Sequence, residues 1–432
     1  MECSVSTKRP VLKRNRALTS LEQPVLIAFL SEDWDSPPAG FTRRPLLLAV
    51  HRKLAAEGWR TLAVERPICP VTTSLFEPCK MAQELLGKRR LRPAADGLHL
   101  ATPVVALRER LARRVRPVQR ANARLLKAQL STWLRLLGLE TRPRVVWLFH
   151  PRQSWLVDVT VHDALIYECY DEYAGLVRNE AVRASLYRAE SSILSHADLV
   201  LTTSSELYSS RRRHNPNTLL VNNGVNYELF ASGAGLPEPD DIAGVPHPRI
   251  GFAGIINRRL DLDLLSSVAA ARPDWSLVML GPVRELRRRD LAQLRGCPNV
   301  HFLHSRPQAE VPAYLAHCDV NIIPYARNGT TAATYPLKLN EYLAVGRPVV
   351  STDFSADLAE FAGLVRVACT RLGFIAAIAA ALDEDKHEYA ARAQALARNA
   401  SWECRADKVA AAILESASGP WRREICLARS AQ

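Results

Sequence analysis

The sequence predicts an α/β protein made of two doubly wound, Rossmann-like domains facing each other across a cleft. Three observations carry that expectation. The apolar run Pro24–Leu30 is followed by a helical pattern over Pro45–Gly58 and a second strand-like run over Arg60–Glu65, a βαβ unit that implies a parallel sheet. The same alternation restarts at Arg249–Ala253, after a stretch at 231–248 rich in Gly, Pro, Ala and Asp that reads as a linker. Finally, Thr330–Thr352 sets a short helix between the strand-like runs Asp319–Pro324 and Pro348–Ser351. Pro336 near its first turn and Gly346 just past its end punctuate that helix.

The remaining elements follow in order. Residues 1–20 read as a basic flexible tail, and 21–232 as the first domain. Strands are expected at Val145–Phe149, Ala164–Tyr170, Ala197–Thr203 and Thr218–Val221, with helices at Glu180–His196 and Ser205–Arg213 and a turn at Asn222–Gly224. The second domain, 245–400, adds strands at Trp275–Leu280 and Val300–Leu303 and a helix at about Ala309–His317. Residues Ile255–Asp261 read as the opening of a helix after Gly254, and 401–432 as a terminal helical segment.

Composition narrows the function. A hydrophobic content of 48% and a charged content of 23% are those of a globular chain, and no apolar run approaches the ~20 residues that span a bilayer. The basic N-terminus lacks the apolar core of a signal peptide, which places the chain in the cytoplasm. Nine dispersed cysteines, with no CxxC and no zinc spacing, read as free thiols, and no metal site is expected. A net charge of +13 calls for an acidic partner. Gly251-Phe252-Ala253-Gly254 is not G-x-G-x-x-G, and there is no P-loop, HExxH or G-x-S-x-G, so nicotinamide, flavin, zinc-hydrolase and serine-hydrolase chemistry are not indicated. No nucleic-acid-binding pattern accompanies the arginines, so no nucleic-acid partner is expected.

Two features point to a phosphorylated small molecule. Lys338 and Glu341 share one face near a helix N-terminus, with hydroxyls of Thr330, Thr331 and Thr334 close by. Lys338 suits a phosphate and Glu341 the hydroxyls of a ribose, although the same spacing also suits a surface ion pair. The turn at Gly254 offers backbone N–H groups to a diphosphate, with Arg258 or Arg259 close enough to pair with it. Separately, Leu107, Leu111, Val115 and Val118 recur at helical spacing, interrupted by Pro117. They lie among eight cations and one acid, and Lys88–Arg92 adds more. Residues 104–127 therefore read either as an amphipathic helix on an anionic membrane or as a solvated surface helix.

Taken in order, these segments resemble group 1 glycosyltransferases of the GT-B fold, and in particular the teichuronic acid biosynthesis glycosyltransferase subgroup. The likeness rests on SEDWDSP (31–37), LIYECYDEYAGL (165–176), ADLVLTTSSEL (197–207), LLVNNGVNYELF (219–230), PRIGFAGIINRRLDLDLL (248–265), NVHFLHSRPQAEVPAYLAHCDVNIIPY (299–325) and YPLKLNEYLAVGRPVVST (335–352). The resemblance implies a glycosyltransferase of hexosyltransferase type, retaining and metal-independent, with no cofactor beyond a nucleotide-diphosphate-sugar donor held by the C-terminal domain. By that resemblance Arg259, in the G-x-x-x-R-x-D pattern from Gly254 to Asp261, and Lys338 bind the donor diphosphate. Gly254 and Thr334 line the same site, Glu341 meets the ribose, and the loop around Arg306 lines the base. Asp33, His150 and Asp171 face the acceptor, with Asp171 as base or orienter. The carboxylate that many relatives carry eight positions before Glu341 is Ala333 here, so sugar specificity does not carry over. Ser401-Trp402-Glu403 resembles the start of the C-terminal helix that returns to the N-domain. The expected setting is envelope polysaccharide synthesis on the inner face of the plasma membrane, with a glycan acceptor carried on lipid. A GT-B-fold nucleotide-sugar epimerase and a non-catalytic glycan- or nucleotide-binding relative are the alternatives.

Overall fold

The computed structural model describes residues 23–35, 42–69, 90–107 and 115–417. Among them two sheets form, both doubly wound, as the alternation of the sequence predicts. The first comprises β1 (Val25–Phe29), β2 (Arg60–Val64), β3 (Leu91–Ala95), β4 (Leu98–Ala101), β5 (Arg144–Leu148), β6 (Ala164–Cys169), β7 (Leu199–Thr202) and β8 (Thr218–Leu220). Their spatial order is β3-β4-β2-β1-β5-β6-β7-β8, parallel throughout except for the edge hairpin β3–β4. The second comprises β9 (Arg249–Ala253), β10 (Ser276–Leu280), β11 (Val300–Leu303), β12 (Val320–Ile323), β13 (Val349–Thr352) and β14 (Val365–Ala368), ordered β11-β10-β9-β12-β13-β14 and wholly parallel.

Alternation along β1 shows why the first sheet must be covered twice. Leu26 and Ala28 face one core, whereas Val25, Ile27 and Phe29 face another. The Leu26 side is closed by α1 (Arg44–Ala56) and by the terminal helix α7 (Trp402–Ala417), through Leu46, Leu47, Val50, Leu54, Trp402, Val409 and Ile413. The ion pairs Lys53–Asp407 (2.5 Å) and Arg52–Glu403 flank that contact. The Ile27 side is closed by α2 (Arg116–Leu136), α3 (Glu180–His196) and α4 (Ser205–Arg212).

Three readings of the sequence change here. The basic segment is not one long kinked helix. Residues 104–107 are not helical: Val104 bridges to Ile68, and the segment is clamped by α2, with Asn122 Nδ2 donating to the Leu107 carbonyl (2.7 Å) and Gln129 Nε2 to that of Val104 (2.8 Å). Pro117 stands in the first turn of α2, where its missing N–H costs nothing. The apolar stripe of that helix, Leu126, Leu130, Trp133 and Leu134, is spent on its own sheet, and residues 108–114, with Leu111, lie outside the described residues. Of the upstream cations, Arg92 turns inward to Glu65 (2.9 Å). Second, the Gly/Pro-rich stretch 231–248 is packed: Phe230, Ile242 and Val245 are buried in the second core, which already begins at Val225. The chain crosses between the cores earlier, at Asn222–Gly224, and the return crossing lies beside it, with Val225 N–H bonded to the Ala400 carbonyl (3.0 Å). Third, Ile255–Asp261 is a loop, and the helix that follows it, α5 (Leu262–Ala271), starts only after Asp261 caps the Leu264 N–H (2.9 Å).

Candidate donor and acceptor site

The carboxyl ends of β9 and β10 approach each other closely. A Cβ on Gly281 would overlap the carbonyl oxygen of Gly254. One on Gly254 would overlap Lys338 Cε and sit 2.6 Å from its Nζ. Both glycines also have positive φ (+144° for Gly254, +135° for Gly281), where side chains are rarely tolerated. Gly254 N–H and Ile256 N–H are already taken by the carbonyls of Leu280 (2.8 Å) and Pro282 (2.9 Å), so these two N–H groups are not available to a ligand. What the glycine leaves room for is the Lys338 side chain.

Lys338 projects from the first turn of α6 (Leu337–Val345), whose N-cap is Pro336 and whose end is the left-handed Gly346. Its ammonium lies over the rings of Phe252 (5.6 Å) and Tyr325 (6.0 Å) and, among the described residues, has no ion-pair or hydrogen-bond partner. Glu341, one turn on, has a desolvated carboxylate: burial raises its pKa, and the Lys338 charge opposes that shift. No hydrogen bond meets it among the described residues. The simple exposed ion pair therefore does not describe these two side chains. Tyr342 anchors the helix beneath Gly254 by accepting the Ala253 N–H (2.9 Å).

Arg259 lies in the loop after β9, and its guanidinium is paired with the Asp171 carboxylate of the loop after β6. The pair joins the two sheets, with side chains 26% and 18% exposed. Burial works against the Arg259 charge, but Asp171 outweighs it and holds the Arg259 pKa above its usual value. Asp171 is fixed from its own side as well: Glu172 N–H donates to its Oδ1 (2.9 Å), and Glu172 is held by the buried Arg211 (2.8 Å), itself paired with Glu190 (2.9 Å).

The other expected residues are placed as follows. Thr334 and Thr330 donate their hydroxyls to the carbonyls of Thr330 (3.1 Å) and Gly175 (3.3 Å), and the fully buried Thr331 donates to Asn328 (3.0 Å). These protons shape the segment rather than await a ligand. Arg306 is engaged with Tyr314 (2.8 Å) and Asp241 (2.6 Å). Asp33 pairs with Arg66 (2.9 Å). His150 Nδ1 accepts the Arg152 N–H (3.0 Å), and its ring packs on Tyr173 (centroids 4.3 Å apart). Ala333 is buried against the first domain, with its carbonyl accepting from Ser204 (2.7 Å). Sequence reading missed the residues that set this arrangement: Arg43 with Glu168, Asn223, Asn340, and Arg211 with Glu190.

Two doubly wound, mainly parallel sheets joined by a paired crossing are those of the GT-B fold. The chain superposes on sucrose-phosphate synthase from Thermosynechococcus elongatus with TM-score 0.65 at 16% identity, covering 91% of this chain and 99% of that one. HepE of Anabaena in complex with UDP gives 0.60 at 15%, covering 91% and 100%. These likenesses establish the fold. Residues 247–399 match the family model described as Glycosyl transferases group 1, so the likeness to that family lies in the second domain. The chain is also 30% identical over 220 residues to TuaH of Bacillus subtilis (strain 168), which is named for teichuronic acid biosynthesis as a glycosyltransferase. That match covers 48% of this chain and 55% of TuaH, so the chain spans about half the length of the curated relative it matches.

The desolvated Glu341 makes a stability prediction. Its raised folded-state pKa means that the ionised form costs stability above that pKa, and the cost vanishes below the unfolded value. Glu341→Gln is expected to raise the thermal midpoint at about pH 8 and to leave it unchanged near about pH 4. Melting curves across that range check this, and an equal gain at both ends would contradict it.

Proposed function

We propose that the chain transfers a glycosyl group from a nucleoside-diphosphate sugar to a glycan acceptor. The observation that carries this reading is the Lys338 ammonium, unpartnered among the described residues and held by a glycine-lined pair of strand ends beside the desolvated Glu341, which no hydrogen bond meets among those residues. The donor diphosphate sits against Lys338 and Arg259, and the ribose hydroxyls donate to Glu341. As the bond from the sugar's anomeric carbon to the β-phosphate oxygen breaks, its electron pair passes to the diphosphate. Two cations meet the charge developing there, at a partly buried site where such charges act more strongly than in water. The acceptor oxygen forms the new bond to the anomeric carbon, and its proton passes to the Asp171 carboxylate as base. Retention of configuration follows the family resemblance.

Titration of the purified protein with UDP, GDP, ADP and dTDP tests the donor site. One of them at about 100-fold its Kd should add ~2.7 kcal/mol of stability, and Lys338→Ala should abolish that response. Failure of every nucleotide to stabilise well-folded protein would contradict the reading.

We further propose that the acceptor is carried on an anionic membrane, in an envelope polysaccharide pathway of the kind TuaH is named for. Arg120, Arg124 and Lys127 form an exposed basic stripe on α2, with Val115 and Leu125 exposed nearby. Among the described residues no helix is long and apolar enough to cross a membrane. That stripe supports attachment through surface charge, ~1 kcal/mol per cation. Co-sedimentation with vesicles containing phosphatidylglycerol should weaken on replacing all three cations with Gln. Equal binding by that variant would count against this stripe.

A further inference from the structure

We propose that Asp171 occupies Arg259 as a stand-in for the donor's diphosphate, so that donor binding is the event that frees Asp171 for the acceptor. The inference rests on the reading of the donor site given above.

The two partners belong to different domains: Asp171 follows β6 and Arg259 follows β9. The backbone is pinned on both sides. The Asp171 carbonyl accepts from Cys169 Sγ (3.6 Å), and the next residue, Glu172, is locked to Arg211. Arg259 N–H donates to Asn257 Oδ1 (3.1 Å), its carbonyl accepts the Ala326 N–H (2.8 Å), and Asp261 N–H reaches the Pro324 carbonyl (2.9 Å). An exchange of partners at Arg259 thus needs movement of the guanidinium, and neither loop has to refold.

Asp171 engages Nη2 of that guanidinium, and a diphosphate competes for the same charge with the stronger hand. A planar guanidinium pairs with two oxygens at once, and a diphosphate offers more charge and more oxygens than one carboxylate. It also brings Lys338 into play, which Asp171 does not engage. The diphosphate therefore takes Arg259 from Asp171. Asp171 Oδ1 stays on Glu172 N–H, while Oδ2, released from Arg259, can accept a hydrogen bond from an acceptor hydroxyl. An acceptor arriving before the donor finds that oxygen occupied. The pair thus couples two sites through one shared cation, and the coupling is reciprocal in binding free energy.

Isothermal titration of the full chain with UDP and with GDP tests the exchange, using wild type, Asp171→Asn, Arg259→Gln and the double variant. Removing the competing carboxylate should tighten binding of the recognised diphosphate on the order of fivefold or more. In the Arg259→Gln background the same Asp171→Asn change should have no effect, because the shared cation is gone. Asp171→Ser repeats the test should the Asn variant fail to fold. Unchanged or weaker binding by folded Asp171 variants, with Lys338→Ala still weakening it, overturns the exchange and leaves the donor site standing. Loss of the Asp171 effect only in part in the Arg259→Gln background would assign it to local structure and overturn the exchange too. No binding of either nucleotide to wild type overturns both.

Discussion

The side-chain amide of Asn223 sits where the two halves of the molecule meet, and the placing of the donor helix depends on it. Its Oδ1 accepts from Arg43 (2.6 Å) and its Nδ2 donates to the Tyr335 carbonyl (2.8 Å), just ahead of α6. Asn340, inside α6, donates back to the Asn223 carbonyl (2.8 Å). Arg43 is in turn paired with Glu168 in a site where both side chains are 2% exposed, and it lies over the rings of Tyr170 and Trp402. A buried pair of this kind is poor evidence of stability, because desolvation offsets its attraction. Burial indeed raises the Glu168 pKa in spite of Arg43, and one nitrogen and one oxygen of the pair have no partner. What the pair supplies is orientation: it fixes Asn223, and Asn223 fixes the helix bearing Lys338 and Glu341.

Around that junction, short polar contacts between the domains accompany the apolar packing of Ala333 and Leu337 on the first domain. Ser204 reaches the Ala333 carbonyl, Ser205 reaches Asp357, and Thr330 reaches Gly175. Each can be broken by a small separation of the sheets, whereas the two cores of the first domain and the one of the second are extensive and apolar. The two crossings of the chain run side by side at Gly224 and Trp402, so close that a Cβ on Gly224 would lie 2.7 Å from the indole. Such a paired crossing permits opening about one line while keeping the register of the two sheets. Asp171–Arg259 is an ion pair that links the loop after β6 to the loop after β9, and on the function proposed above its two side chains are ones that both substrates need.

How much of this could be read in the sequence follows from the range over which each signal acts. The strands other than β3, β4 and β14 were legible because each is a short apolar run closed by a turn, and α6 because Pro336 and Gly346 mark its ends; β3, with Arg92 and Pro93 and an exposed face, carries no such run. Lys338 and Glu341 could be paired from their spacing alone. Arg43, Glu168 and Asn223 could not, because they meet across 125 and 180 positions, and a buried polar contact leaves no local pattern. The stretch 231–248 was misread because Gly and Pro suggest a linker while Ile242 and Val245 pack into the second core. The basic segment misled for a related reason. Helical periodicity reveals an apolar stripe without revealing what covers it, and for α2 the cover is the chain's own sheet.

The central claim is that Lys338 and Glu341, set by α6 against Gly254, receive a nucleoside diphosphate. A crystal structure of the chain soaked with the nucleotide that stabilises it tests this most directly. The account predicts phosphate oxygens within hydrogen-bond distance of Lys338 Nζ and ribose hydroxyls at Glu341. A nucleotide seated on the loops of the first sheet, with Lys338 untouched, would contradict it.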